Sequence, residues 1–164
     1  MSFYQIFNYK KIPSIKRIDL PPERRVNRNL EGIIIGEIVA IKKHPNADIV
    51  RIARVAIRKN KYITIIFGGP RIEYIGARVA VALPGTPTDD GKLKKRRYRG
   101  KVSHGMICAA VELALAARGL DAIMLFPDTL AAGTELRTIK KSILRKWLHE
   151  QKKILSLFTK SRRG

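Results

Sequence analysis

The sequence predicts an all-β domain, a small antiparallel barrel, set between a basic N-terminal arm and a basic amphipathic C-terminal helix. Three observations predict it. The apolar residues of the central region fall in short runs of strand length, GIIIGEIVAI, ADIVRIARVAI, KYITIIF and ARVAVAL. Turn chemistry bounds each run, at His44-Pro45-Asn46, Lys59-Asn60-Lys61, Gly68-Gly69-Pro70 and Pro84-Gly85. Repeated helical segments are missing between the runs, so a meander closing into a barrel or sandwich is expected rather than a parallel sheet with crossovers.

Taken in order, residues 1–30 hold seven basic and two acidic residues, and Pro13 with the Pro21-Pro22 pair favours extended or irregular backbone, an arm. In the second run Arg51, Arg54 and Arg58 punctuate apolar residues, so one face of the meander is expected to be buried and the other cationic. The stretch AAVELALAARGL, Ala109 to Leu120, is rich in Ala and Leu with Gly119 at its end, and is expected to form a short helix. Ala122 to Phe126 is expected to be a further strand, after which Pro127, Asp128 and Gly133-Thr134-Glu135-Leu136 close the domain at residue 136. Residues 137–164 carry ten basic residues against Glu150 alone. There Ile139, Ile143, Trp147, Ile154 and Phe158, flanked by Leu144, Leu148 and Leu155, recur at helical spacing. The expected organisation is therefore arm 1–30, domain 31–136 and helical tail 137–164.

Charge narrows the function class. The 164 residues carry 34 Lys and Arg against 13 Asp and Glu, a net +21, while 45% hydrophobic residues suffice for a core and exclude a wholly disordered basic chain. Such a balance attracts polyanions, nucleic acid first among them. A lone cysteine, Cys108, excludes a disulfide framework and a cysteine-rich zinc site. A cytoplasmic protein without cofactor, metal or transmembrane segment is expected; the acid-poor first thirty residues leave organellar import as an alternative.

The densest chemical signal is KLKKRRYRGK, in which Lys92, Lys94, Lys95, Arg96, Arg97, Arg99 and Lys101 surround the aromatic ring of Tyr98. Several cations acting together release counterions from a phosphate backbone and bind it strongly, and Tyr98 offers a stacking face. A plain solvated strand face is the competing reading. Asp89-Asp90-Gly91, just before it, is hairpin-turn chemistry and needs no metal. A second cluster, His44-Pro45-Asn46-Ala47-Asp48, comes directly after Lys42 and Lys43. Asn46 and Asp48 suit bonds to nearby backbone, whereas His44, and His104 in Ser103-His104-Gly105-Met106, suit phosphate or base contacts; both readings stay open. No nucleophile with an activating base, carboxylate pair or phosphate-binding glycine loop is recognisable, so no enzyme is expected. Cys108, between apolar neighbours, is expected to be a buried structural thiol.

In their order and spacing, GIIIGEIVAIKKHPNAD, ITIIFGGP, GARVAVALPGT, KLKKRRYRGKVSHGMICA and IMLFPDTLAAGTEL resemble the tRNA-binding domain near the N-terminus of bacterial phenylalanyl-tRNA synthetase β subunits, which also occurs in stand-alone tRNA-binding proteins. The resemblance spans about residues 31–136 and implies a five-stranded Greek-key OB-fold barrel that grips structured tRNA by shape and backbone. On the family's motif positions stand Lys43, His44, Pro45, Asn46 and Asp48, then Arg99, Gly100, Ser103, Gly105 and Met106; the two glycines and Met106 are expected to shape turn and core. Val102 replaces the usual Glu, His104 an Asn or Gln, and Phe67 and Arg71 stand where synthetases often carry Cys and Asn, making this version more basic and less amide-rich. A full β subunit continues much further than Gly164, so no aminoacylation by this chain is expected.

The expected protein is a non-enzymatic binder of tRNA or other structured RNA, acting through Lys42, Lys43, His44, Asn46, Lys92, Lys94, Lys95, Arg96, Arg97, Tyr98, Arg99, Lys101, Ser103 and His104. The alternatives are an assembly component of a ribonucleoprotein such as a ribosomal particle, and a split synthetase fragment working beside a catalytic partner. For the tail, RNA contact, packing on the barrel, dimerisation and an anionic membrane surface all remain open.

Overall fold

A computed structural model describes residues 29–68, 75–89, 91–115 and 123–161, with side chains in the last segment through Lys153. Residues 1–28 of the expected arm, the Gly69-Pro70 turn, and the Ile154, Leu155 and Phe158 part of the tail's stripe lie outside the described residues, while Leu30 at the arm's end is buried in the core.

Three long strands lead the chain: β1 (Ile33–His44), β2 (Ala47–Arg58) and β3 (Lys61–Gly68). They form consecutive antiparallel hairpins. Pro45-Asn46 makes the first two-residue turn; in the second, Lys59-Asn60, Asn60 takes φ 57°, a left-handed conformation that Asn tolerates better than most residues. Next come β4 (Arg78–Ala82), β5 (Pro87–Thr88), β6 (Gly91–Lys92), β7 (Arg96–Tyr98), β8 (Lys101–Ser103), β9 (Met106–Ile107) and β10 (Leu125–Phe126).

Among the described residues the main sheet has six strands in the order β10-β4-β1-β2-β3, with β9 also on β4, while β5-β6 and β7-β8 are separate hairpins. The all-β class stands, as does the helix at the C-terminal end. Among the described residues, however, the hydrogen-bonded ladder does not close, so the sheet is all-β and antiparallel without forming the expected five-stranded closed ladder there. Past β4 the backbone repeatedly enters left-handed conformations, at Gly85, Gly91, Arg99 and Gly100, which break the ladder into short pieces.

Alternation along the strands builds two apolar layers. Ile33 and Ile35 of β1 with Ala80 and Ala82 of β4 face one layer; Ile38, Val55, Ile65, Val79 and Val81 face the other. Strand β4 is thus buried on both faces, which is why ARVAVAL is almost continuously apolar. Gly36 leaves room for the second layer, since an added Cβ would stand 2.6 Å from Val55 Cγ1 and 2.8 Å from Val81 Cγ2.

The short helix expected from Ala109 is not formed over the described residues 109–115, which make successive turns. Ala109 N–H donates to Glu112 Oε2 at 2.6 Å, and Ala114 at φ 54° ends the helical path. Ala110, Val111, Leu113 and Leu115 are all buried. Their apolarity serves the core rather than one stripe of a helix.

The one long helix among the described residues, α1 (Lys141–Ser161), lays Leu144 and Leu148 into the first layer and sets Trp147 edge-on to Phe126, ring centroids 6.2 Å apart. Gln151, also buried, extends the sheet with its amide: Leu125 N–H donates to its Oε1 at 3.0 Å, and its Nε2 donates to the Ile123 carbonyl at 2.9 Å. Gln151→Leu, similar in size, orphans both backbone groups and is expected to cost about 2 kcal/mol of unfolding free energy. Urea denaturation with an unchanged slope checks this; an unchanged midpoint refutes it.

Candidate nucleic-acid interface

The basic segment is held at both ends of its first half. Leu93 is buried between the flanking lysines, its N–H donating to the Thr86 carbonyl at 2.8 Å and its carbonyl accepting from Gly85 N–H at 2.7 Å. With Leu93 in the core, Lys92, Lys94 and Lys95 project into solvent, and the strand pair β7-β8 carries Arg96, Arg97, Arg99 and Lys101 outward. Arg99-Gly100 forms the hairpin tip with φ 43° and 87°, the pair of left-handed residues that a tight turn between twisted strands demands. Tyr98 stays 37% exposed.

The first-loop residues clasp this hairpin across more than fifty positions of sequence. His44 Nδ1 accepts from Asn46 N–H at 3.1 Å, which fixes the ring in its Nε2–H tautomer, and Nε2 donates to the Tyr98 carbonyl at 3.1 Å. The His44 and Tyr98 rings meet edge to face at 5.6 Å. Two residues on, Asn46 Nδ2 donates to the Arg99 carbonyl at 3.3 Å and an Arg99 guanidinium nitrogen donates back to the Asn46 carbonyl at 2.8 Å. The two motifs singled out from sequence are therefore one structure. Asn46 bonds to the hairpin tip, and His44 is buried.

On the other side of the hairpin, Ser103 is buried and joins it to the sheet edge. Ile66 N–H donates to Ser103 Oγ at 2.9 Å, Ser103 O–H donates to the Gly105 carbonyl at 3.0 Å, and His104 N–H donates to the Thr64 carbonyl at 2.8 Å. His104 Nδ1 is buried without a hydrogen-bond partner among the described residues. A Cβ on Gly105 would stand 2.9 Å from the Ala82 carbonyl oxygen, so this glycine permits the chain to pass close to β4. Of the fourteen expected site residues, His44 and Ser103 face inward and His104 is half-buried. Lys43, Lys92, Lys94, Lys95, Arg96, Arg97, Tyr98, Arg99, Lys101, Lys42 and Asn46 are exposed, Asn46 with its side-chain bond to the hairpin tip exposed as well.

Sequence reasoning passed over Tyr62, 43% exposed on β3, whose ring lies 4.1 Å beneath the Arg54 guanidinium carbon. Its signal was strand register, which sets Tyr62 two residues from the partner of Arg54 on the same face. Cys108 is fully buried, and burial, reinforced by the negative charge of Glu112, pushes its thiol well above the usual range. It is expected to resist thiol reagents in the native state and to react only in denaturant; rapid native labelling would contradict this. Among the described residues no group of three or more His, Cys, Asp or Glu is placed to hold a metal, and no helix is long and apolar enough to cross a membrane.

Residues 33–135 match the family model described as "Putative tRNA binding domain". The chain belongs to the tRNA-binding domain family. Its similar proteins include the phenylalanine–tRNA ligase β subunits of Pseudoalteromonas translucida, 38% identical over 107 residues, and of Coxiella burnetii, 36% identical over 110. Those matches take in 65% and 67% of this chain but only 13% and 14% of the two subunits. Among solved structures, the MetRS-related protein from Pyrococcus horikoshii superposes with a TM-score of 0.50 at 18% identity, covering 63% of this chain and 87% of that one, a likeness of fold. The family span contains the clasped loops and the basic hairpin and ends before α1.

Proposed function

We propose that this tRNA-binding domain chain is a non-enzymatic module that holds tRNA, or RNA of similar shape, on the basic β7-β8 hairpin and the adjoining end of β1. The observation that carries the reading is the clasp between His44-Pro45-Asn46 and Tyr98-Arg99, which holds the tip of the hairpin that carries the exposed cations. A hairpin already held in place loses little backbone entropy on binding, and its clustered cations release counterions from phosphate. In this reading Lys42, Lys43, Lys92, Lys94, Lys95, Arg96, Arg97, Arg99 and Lys101 contact phosphate, Tyr98 stacks on an exposed base or ribose, and His44 and Ser103 position the hairpin from inside. The fold is read as an OB barrel whose seam between β3 and β8 is bridged by Ser103 and His104 in place of a full ladder.

Binding of the purified chain to folded tRNA, a short RNA duplex and single-stranded RNA of matched length, titrated across salt, tests the proposal. Tighter binding to folded tRNA at moderate salt is expected. Equal binding to all three would reduce the interaction to net charge and remove shape recognition.

A second reading, action beside a catalytic synthetase partner, is favoured by the phenylalanine–tRNA ligase β subunits among the relatives, of which this chain matches a small part. It predicts that the chain raises the aminoacylation rate of a synthetase lacking this domain; no change at saturating chain would discard it.

A further inference from the structure

Helix α1 lies beyond the span that the family model matches, and packing divides its chemistry in two. Leu144, Leu148 and Gln151 are buried and Trp147 lies against Phe126, so the described apolar stripe is consumed by the core. Ile143, 39% exposed, is the one exposed large hydrophobic among the helix's described side chains. An amphipathic helix enters a lipid surface by its apolar face, and over the described side chains, through Lys153, that face is occupied by the core. A protein partner, likewise, needs an apolar anchor at the centre of its interface.

The solvent side is cationic instead. At 3.6 residues per turn, Arg145 and Lys152 stand in one row and Lys146 and Lys153 in the next, each pair about 10 Å apart along the axis. Glu150, the single acid of the helix, borders the second row on the side away from the first. Orientation is fixed as well: the helix cannot roll without breaking both Gln151 hydrogen bonds to the β10 segment. Resting on the RNA-binding reading above, we propose that this face of α1 is a second RNA-phosphate surface, a rigid basic ridge that acts independently of the β7-β8 hairpin. Phosphate binding needs clustered cations, and Arg145, Lys146 and Lys152 carry theirs on a helix whose orientation Gln151 fixes.

The full chain carrying Arg145→Gln, Lys146→Gln and Lys152→Gln tests it against Lys94→Ala, Lys95→Ala and Arg97→Ala, each by tRNA titration across salt. Gln preserves helix propensity, and circular dichroism checks the fold. The α1 variant is expected to lose about tenfold in affinity and about two units of log–log salt slope, multiplying with the hairpin loss. An unchanged slope in the α1 variant beside a reduced one in the hairpin variant overturns the ridge and leaves the RNA reading intact; unchanged slopes in both overturn the two together. Flotation with phosphatidylserine vesicles that the α1 variant alone abolishes, without change in tRNA binding, assigns the surface to membranes and overturns the ridge. As an independent readout, Lys146→Cys bearing a photo-crosslinker, with native Cys108 buried, is expected to crosslink bound tRNA, and its failure to do so overturns the proposal.

Discussion

Replacing Lys94, Lys95 and Arg97 by Ala is expected to weaken tRNA binding about 10²-fold near 0.15 M salt and to flatten the log–log salt dependence by about two to three units. All three side chains are exposed, and Leu93 and the β7-β8 ladder hold their backbone without them, so the fold is spared. Arg99 is left in place because its guanidinium bonds to the Asn46 carbonyl, and removing it would loosen the clasp as well as delete a charge. The loss is expected to be uniform across tRNA species, since phosphate contacts carry no sequence information. Fluorescence anisotropy at several salt concentrations measures both quantities. A slope equal to that of the unaltered chain would take the hairpin out of the site, whatever happened to affinity at one salt.

His44→Ala is expected to destabilise the domain by about 3–5 kcal/mol, the larger effect on folding. The substitution empties a buried site and orphans the Asn46 amide and the Tyr98 carbonyl together. Asn46→Ala, whose side-chain bond to Arg99 is exposed, is expected to cost less than about 1 kcal/mol. At temperatures where both variants remain folded, His44→Ala is expected to weaken tRNA binding although the ring is buried, because the hairpin it holds is freed to move. Thermal melts and tRNA titrations on the two variants check this, with hydrogen exchange at Lys101 and Val102 as a local readout of hairpin opening. A melting temperature matching the unaltered chain would mean the clasp contributes nothing to stability.

The strands were legible because their pattern is local. Period-two apolarity, Pro45-Asn46, Asn60 and Arg99-Gly100 each state a conformation in a few residues, and β1 to β4 and the hairpin turns stand where that chemistry puts them. AAVELALAARGL departs from its expected helix over its described part because Ala and Leu fill a buried layer in any backbone conformation, as Ala110, Leu113 and Leu115 do here. Burial on one layer, not propensity, decided. His44 and Ser103 were legible as members of the motifs but not in their orientation: polar residues beside lysines resemble a binding surface until the partner that buries them is known. Gln151, an amide among basic residues, carried no signal, since its partners at Ile123 and Leu125 lie far away in the chain.

By itself the sequence determined the charge, the all-β class and the turns between the long strands, since composition and turn chemistry are properties of neighbouring residues. Only the tertiary structure decided which polar groups are consumed within the protein and which remain for a ligand. Burial and hydrogen bonding across long separations settle that division: the same contact that hides His44 presents Arg99, and the same packing that hides Leu148 leaves the solvent face of α1 basic.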